Sequence, residues 1–139
     1  MFNVSRSTGL YALLFCSWLL LTSQAHAFDL TGAWATNADQ CDKVFVKKGD
    51  KISFAQFSEE FGGGFVANGN DVRSKTAQCT IKSRKETGDT IDFQASCESE
   101  IIATSTNLSL KIIDANTVSR VFTDPALAGM ELTFHRCSM

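Results

Sequence analysis

Three stretches of this chain alternate apolar and polar residues with a period of two. That pattern restricts them to strands with one buried and one wet face. The apolar positions are Ile91, Phe93, Ala95 and Cys97 in the first, Leu108, Leu110 and Ile112 in the second, and Met130, Leu132 and Phe134 in the third. No long segment shows the 3.6-residue period of an amphipathic helix. Turn signals punctuate the runs at Gly49-Asp50, Gly62-Gly63-Gly64, Asn68-Gly69-Asn70-Asp71, Gly88-Asp89, Asp114-Ala115-Asn116 and Asp124-Pro125. The spacing predicts strands over 30–35, 43–48, 51–57, 64–67, 71–84, 90–99, 103–113, 117–123 and 130–136, with one helical turn over 37–40. Connections this short make neighbouring strands antiparallel. Eight or nine strands in a meander must hide their edges. An up-and-down barrel does so by closing; a β-sandwich is the alternative.

The first 27 residues follow a different logic. Met1 to Gly9 is polar with one cation, Arg6; Leu10 to Leu21 is mostly apolar; Thr22 to Ala27 ends in Ala25-His26-Ala27. This is the layout of a secretory signal with cleavage after Ala27. A membrane anchor needs roughly 20 apolar residues, more than this run supplies. A lipoprotein signal at Cys16 is disfavoured by the bulky Phe15 before it. The expected mature chain, residues 28–139, is one domain in an exported, periplasmic or secreted protein of bacterial type. With the leader removed, 12 Lys+Arg stand against 15 Asp+Glu, a net charge of about −3. So mild a balance gives no reason to expect nucleic acid or an anionic membrane as partner, and no membrane span remains.

Cleavage also leaves an even number of cysteines: Cys41, Cys79, Cys97 and Cys137. In an exported domain these read as two disulfides. Zinc sites pair cysteines two to four residues apart, whereas the gaps here are 38, 18 and 40. Four cysteines allow three connectivities, and a hairpin register selects one. With Thr87-Gly88-Asp89 as the loop, residues whose numbers sum to 176 face each other. Arg84 then meets Asp92, and Cys79 meets Cys97, at the separation a disulfide needs. The remaining pair, Cys41–Cys137, closes a loop of nearly the whole domain. In the chain-entropy model such a loop is worth up to about 4–5 kcal/mol.

Leu30-Thr31-Gly32-Ala33-Trp34 opens the first predicted strand. Its Gly32-x-Trp34 core resembles the start of calycin barrels: lipocalins, avidins and small bacterial metalloprotease inhibitors. The resemblance implies that Trp34 plugs one barrel end and that a basic residue of a late strand packs across it. Arg136 shares strand parity with Leu132 and Phe134 and suits that role by indole stacking and bonds to carbonyls. The polar biotin-binding set of avidins has no counterpart here, so biotin binding is not implied. The whole chain also resembles small exported bacterial proteins with four cysteines, which implies no activity.

Candidate sites are few. His135, the one histidine of the mature chain, lies on the strand face opposite Phe134 and lacks partners for catalysis or metal binding. No serine sits in Gly-x-Ser-x-Gly, and Glu59-Glu60 point to opposite faces if extended. The loop Phe61-Gly62-Gly63-Gly64-Phe65 is either a flexible lip presenting Phe61 to a ligand or partner, or a turn whose two rings anchor in the core. Arg73, Lys75, Lys82, Arg84 and Lys85 form a basic stretch that can solvate a strand face or meet an acidic partner. No cofactor or metal is expected. These readings predict a non-enzymatic binding module for a small apolar ligand or a protein partner. The alternative is an envelope protein-interaction factor such as a hydrolase inhibitor, with an enzyme third. Whether the nine Phe of residues 28–139 fill the barrel or leave space is open.

Overall fold

A computed structural model describes residues 26–139. The expected leader therefore lies outside the described residues, apart from His26 and Ala27. Eight strands close a barrel: β1 (Gly32–Ala35), β4 (Gly64–Asn68), β5 (Asp71–Arg73), β6 (Gln78–Thr87), β7 (Thr90–Glu98), β8 (Ala103–Asp114), β9 (Thr117–Val121) and β10 (Leu132–Cys137). The closure is made by β1, which pairs antiparallel with both β10 and β4. The remaining strands, β2 (Phe45–Lys48) and β3 (Lys51–Phe54), form a separate two-stranded hairpin. All pairings are antiparallel.

The predicted helical turn is longer than expected. A 3-10 turn at Ala38–Gln40, capped by the Asn37 side chain, runs on into helix α1 (Cys41–Val44). The second strand consequently starts at Phe45 rather than 43. The predicted strand 71–84 is broken at 74–77, where Ser74 and Ala77 bond each other across a tight turn.

The register of the β6–β7 hairpin also needs correction. Cys79 does face Cys97, but the register shifts between Ile81 and Ser83. Beyond that bulge Arg84 faces Phe93, and Asp92 faces Lys85 rather than Arg84. The loop is the two-residue Gly88-Asp89, with Gly88 at φ 63°, as a tight hairpin requires. A bulge inserts one residue and so exchanges the two faces of a strand. Before Lys82 the odd-numbered side chains point inward; after it, Arg84 and Glu86 do.

Both disulfides are present, Cys41–Cys137 and Cys79–Cys97, with Cα atoms 5.7 and 4.0 Å apart. The first ties α1 to the last strand, and the second bridges β6 and β7.

Two apolar clusters result. The barrel interior holds Trp34, Ile91, Phe93, Val118 and Ala67, joined by Phe65, Phe134 and the leucines of β8. A second core lies on the outer side of the barrel wall. There Ala33, Ala35, Val66 and Cys137 are covered by Val44 and Phe45, with Phe54 and Phe61 against them. β1 is thus buried on both faces, with small residues outside and Trp34 inside. Gly64 makes this close packing possible: a Cβ there would collide with the Trp34 carbonyl and come 2.8 Å from the Phe45 ring.

Candidate functional site

The two barrel ends are built from different material. At the lower end the strands are joined by tight turns at Gly69-Asn70, Gly88-Asp89 and Ala115-Asn116. Across that end runs the segment 28–31, which turns into β1 at Gly32, φ 124°. That backbone conformation favours glycine, which gives the Gly-x-Trp start a physical reason. Trp34 is fully buried and donates its indole N–H to Leu30 O at 2.8 Å. The Arg136 guanidinium lies 4.3 Å from the Trp34 ring centroid. It donates to Thr31 O and Asp29 O, both at 2.6 Å, and more weakly to Ala115 O at 3.4 Å. Charge-assisted bonds and ring stacking together make this end rigid. Arg84 adds a bond to Phe28 O and a salt bridge to Glu86. The Asp29 carboxyl is held below the usual carboxylate range, first by the Thr31 backbone N–H donating at 2.8 Å and then by the Thr31 hydroxyl. Arg136 and Arg84 add a smaller pull in the same direction.

At the upper end the connections are longer: 36–63, 74–77, 99–102 and 122–131. A cavity of about 280 Å³ lies in the barrel interior, bounded by Gly64 and Ser74 of this end and by Leu30 of the segment that crosses the lower end. Phe65, Phe93, Leu108, Leu110 and Phe134 form its walls, with Val72, Ile81, Ala95 and Cys79 of the inner disulfide. Phe65 is shared with the plug, stacking on Trp34 at 5.9 Å and meeting Phe134 edge-on at 5.1 Å. Arg120 is the single charged residue in the lining. The long upper loops expose apolar residues, Ile101 at 90%, Phe57 at 58%, and Ile102 and Met130 at 57% each.

The triple-glycine loop divides between the two cores. Phe65 faces the cavity, while Phe61 lies in the outer core with Lys43 Nζ 5.1 Å from its ring centroid. The loop is clamped to the residue that follows β1: Thr36 N donates to Gly63 O at 3.0 Å, and Gly63 N donates to Thr36 Oγ1 at 3.1 Å. Gly62, at φ 108°, makes the bend. Phe61 is therefore not an exposed lip.

The basic stretch also divides. Arg73 donates to Ile52 O at 3.0 Å and Lys75 to Ala55 O at 3.1 Å, so both fasten the outer hairpin to the barrel. Arg84 serves the lower end, and Lys82 and Lys85 are exposed. His135 is half-buried on the outer strand face, paired in register with Ala35 and Thr117. Among the described residues no three of His, Cys, Asp and Glu converge as a metal site requires, and no helix is long and apolar enough to cross a membrane.

The chain matches no protein-family model, no curated protein and no solved structure. The site must therefore be read from its own chemistry. Arg120 is the residue that reading the sequence missed. Its signal was available: it shares parity with the buried Val118 on a strand, which turns a cation inward.

Proposed function

We propose that this protein is an exported binding module of calycin-like architecture that holds a small apolar ligand in its barrel interior, without enzymatic activity. The observation that carries the reading is the cavity of about 280 Å³ inside a closed barrel. Small-molecule sites are concave and mostly apolar, with few polar groups, and run from about 300 Å³ upward. At about 280 Å³ this cavity falls just below that range, so the ligand is small. The rigid lower end favours the same reading, because it closes the barrel away from the mouth and keeps the lining in place.

Export with cleavage after Ala27 is part of the proposal. Its support is the surroundings of Phe28, whose backbone N lies 3.1 Å from a Glu86 carboxylate oxygen. Cleavage would turn that amide into an ammonium facing a carboxylate. Two disulfides suit an oxidising compartment.

The test is titration of the purified protein with 1-decanol, read by the emission of Trp34. Trp34 stacks on the cavity-lining Phe65 and is the one tryptophan of residues 28–139. Saturable change in the parent protein and none in Ala95→Phe, which puts a ring into the cavity, is the expected result. No response in either sinks the reading.

A second reading, an envelope protein-interaction factor such as a hydrolase inhibitor, draws support from the exposed Ile101, Ile102, Met130 and Phe57 on the upper loops. It predicts capture of a specific envelope protein that Ile101→Ser abolishes and Ala95→Phe leaves intact.

A further inference from the structure

The cavity lining is apolar except at two residues, Ser74 and Arg120. The Ser74 hydroxyl is already engaged, since Ala77 N donates to it at 3.1 Å. Arg120 is different. It sits on β9 opposite Leu110 and Leu132, the latter being the first residue of β10, which places it near the upper end. Its inward parity is that of the fully buried Val118. Its guanidinium lies 4.9 Å from the Phe122 ring centroid, so one planar face is covered and the N–H edge remains for a partner. Among the described residues the salt bridges involve Lys75, Arg84 and Lys111, and no carboxylate pairs with Arg120. The other inward-facing arginines are treated otherwise: Arg136 donates to three carbonyls and Arg84 to a carbonyl and a carboxylate. A cation half-withdrawn from water and left without a counter-charge raises the local potential. It is most stable with an anion against its N–H edge, where a planar carboxylate can be met by two parallel bonds.

From this juxtaposition we infer that the ligand is an anionic amphiphile, a monocarboxylate whose apolar tail lies among Phe65, Phe93, Leu108 and Leu110 and whose head meets Arg120 at the cavity mouth. The inference rests on the ligand-binding reading above and names the chemical class that reading leaves open. A neutral ligand of equal tail length would fill the same walls but bring Arg120 neither a counter-charge nor a pair of parallel acceptors. The specificity therefore resides in the head, and the tail supplies non-directional burial.

The probes are decanoate and 1-decanol, which share a chain length and differ in the charge of the head. Binding is measured calorimetrically at pH 8 to the parent protein, Arg120→Gln and Arg120→Lys. The parent is expected to prefer decanoate by about tenfold or more, the usual scale of a hydrogen bond to a charged group. Arg120→Gln should abolish that preference, and its urea unfolding transition shows that the variant is folded. Arg120→Lys should restore part of the preference, because it keeps the charge but not the two-bond geometry. Equal binding of both probes by the parent, or an unchanged preference in Arg120→Gln, overturns the assignment of the head and leaves the cavity reading standing. Binding of neither probe overturns both.

Discussion

The lower end of the barrel spends its polar groups on itself, and the upper end does not. Below, Arg136 covers Trp34 and bonds three carbonyls, Arg84 holds Phe28 and Glu86, and Asp29 accepts from Thr31. Above, Arg120 has no carboxylate partner among the described residues, and Ile101 and Phe57 are exposed. The two ends share strands and differ in connections: two-residue turns below, longer loops above. Tight turns leave nothing to move, whereas long loops can frame an opening. The difference separates what holds the barrel together from what the barrel presents.

Substitutions at the lower end should have the largest effects. Trp34→Ala removes the largest fully buried side chain among the described residues and should cost about 3–5 kcal/mol, read as a lowered midpoint of urea unfolding. Replacing Cys41 and Cys137 by serine should cost about 2–5 kcal/mol by the same measurement, since that bridge closes a sequence separation of 96 residues. Arg136→Met keeps some cover over the indole but leaves the carbonyls of Asp29 and Thr31 without their donor; a loss of roughly 1.5–3 kcal/mol is expected. Asp29 sharpens the picture through pH. Its folded-state pKa is depressed, so the stability it adds is fully present above the unfolded value near 4 and is lost as pH falls through the folded value. Asp29→Asn should therefore be less stable than the parent at neutral pH, with the gap closing below about pH 4. At the upper end Ile101→Ser should change stability by no more than about 0.5 kcal/mol, because that side chain is 90% exposed. A large loss there would mean that the upper loops carry structure as the lower end does.

Most of the barrel was legible in the sequence because its strands are half-buried and alternate cleanly. Ile91, Phe93 and Ala95 read inward and lie inward. Both disulfides followed from cysteine parity and hairpin register. The pattern failed where one residue broke the period. The bulge at Lys82 exchanges the faces of β6, so no fixed register could place both Cys79 and Arg84 correctly. The separate hairpin was legible as strands but not as a cover, since β2 and β3 alternate like barrel strands and only packing on Ala33 and Ala35 sets them outside. Of the site, the loop at Phe61 drew notice by its glycines, yet those glycines serve close packing and a bend. Arg120 went unnoticed because an isolated cation in a short strand looks like any solvated side chain until the barrel closes around it.

We propose that the barrel cavity takes a small apolar ligand. The most direct test is a methyl-detected NMR titration of the folded protein with 1-decanol. Saturable shifts are expected at Val72, Ile81, Leu108 and Leu110, which line the cavity, and none at Val44 and Ile52 of the outer core. Shifts confined to the exposed Ile101 and Ile102, or none at all, would contradict it.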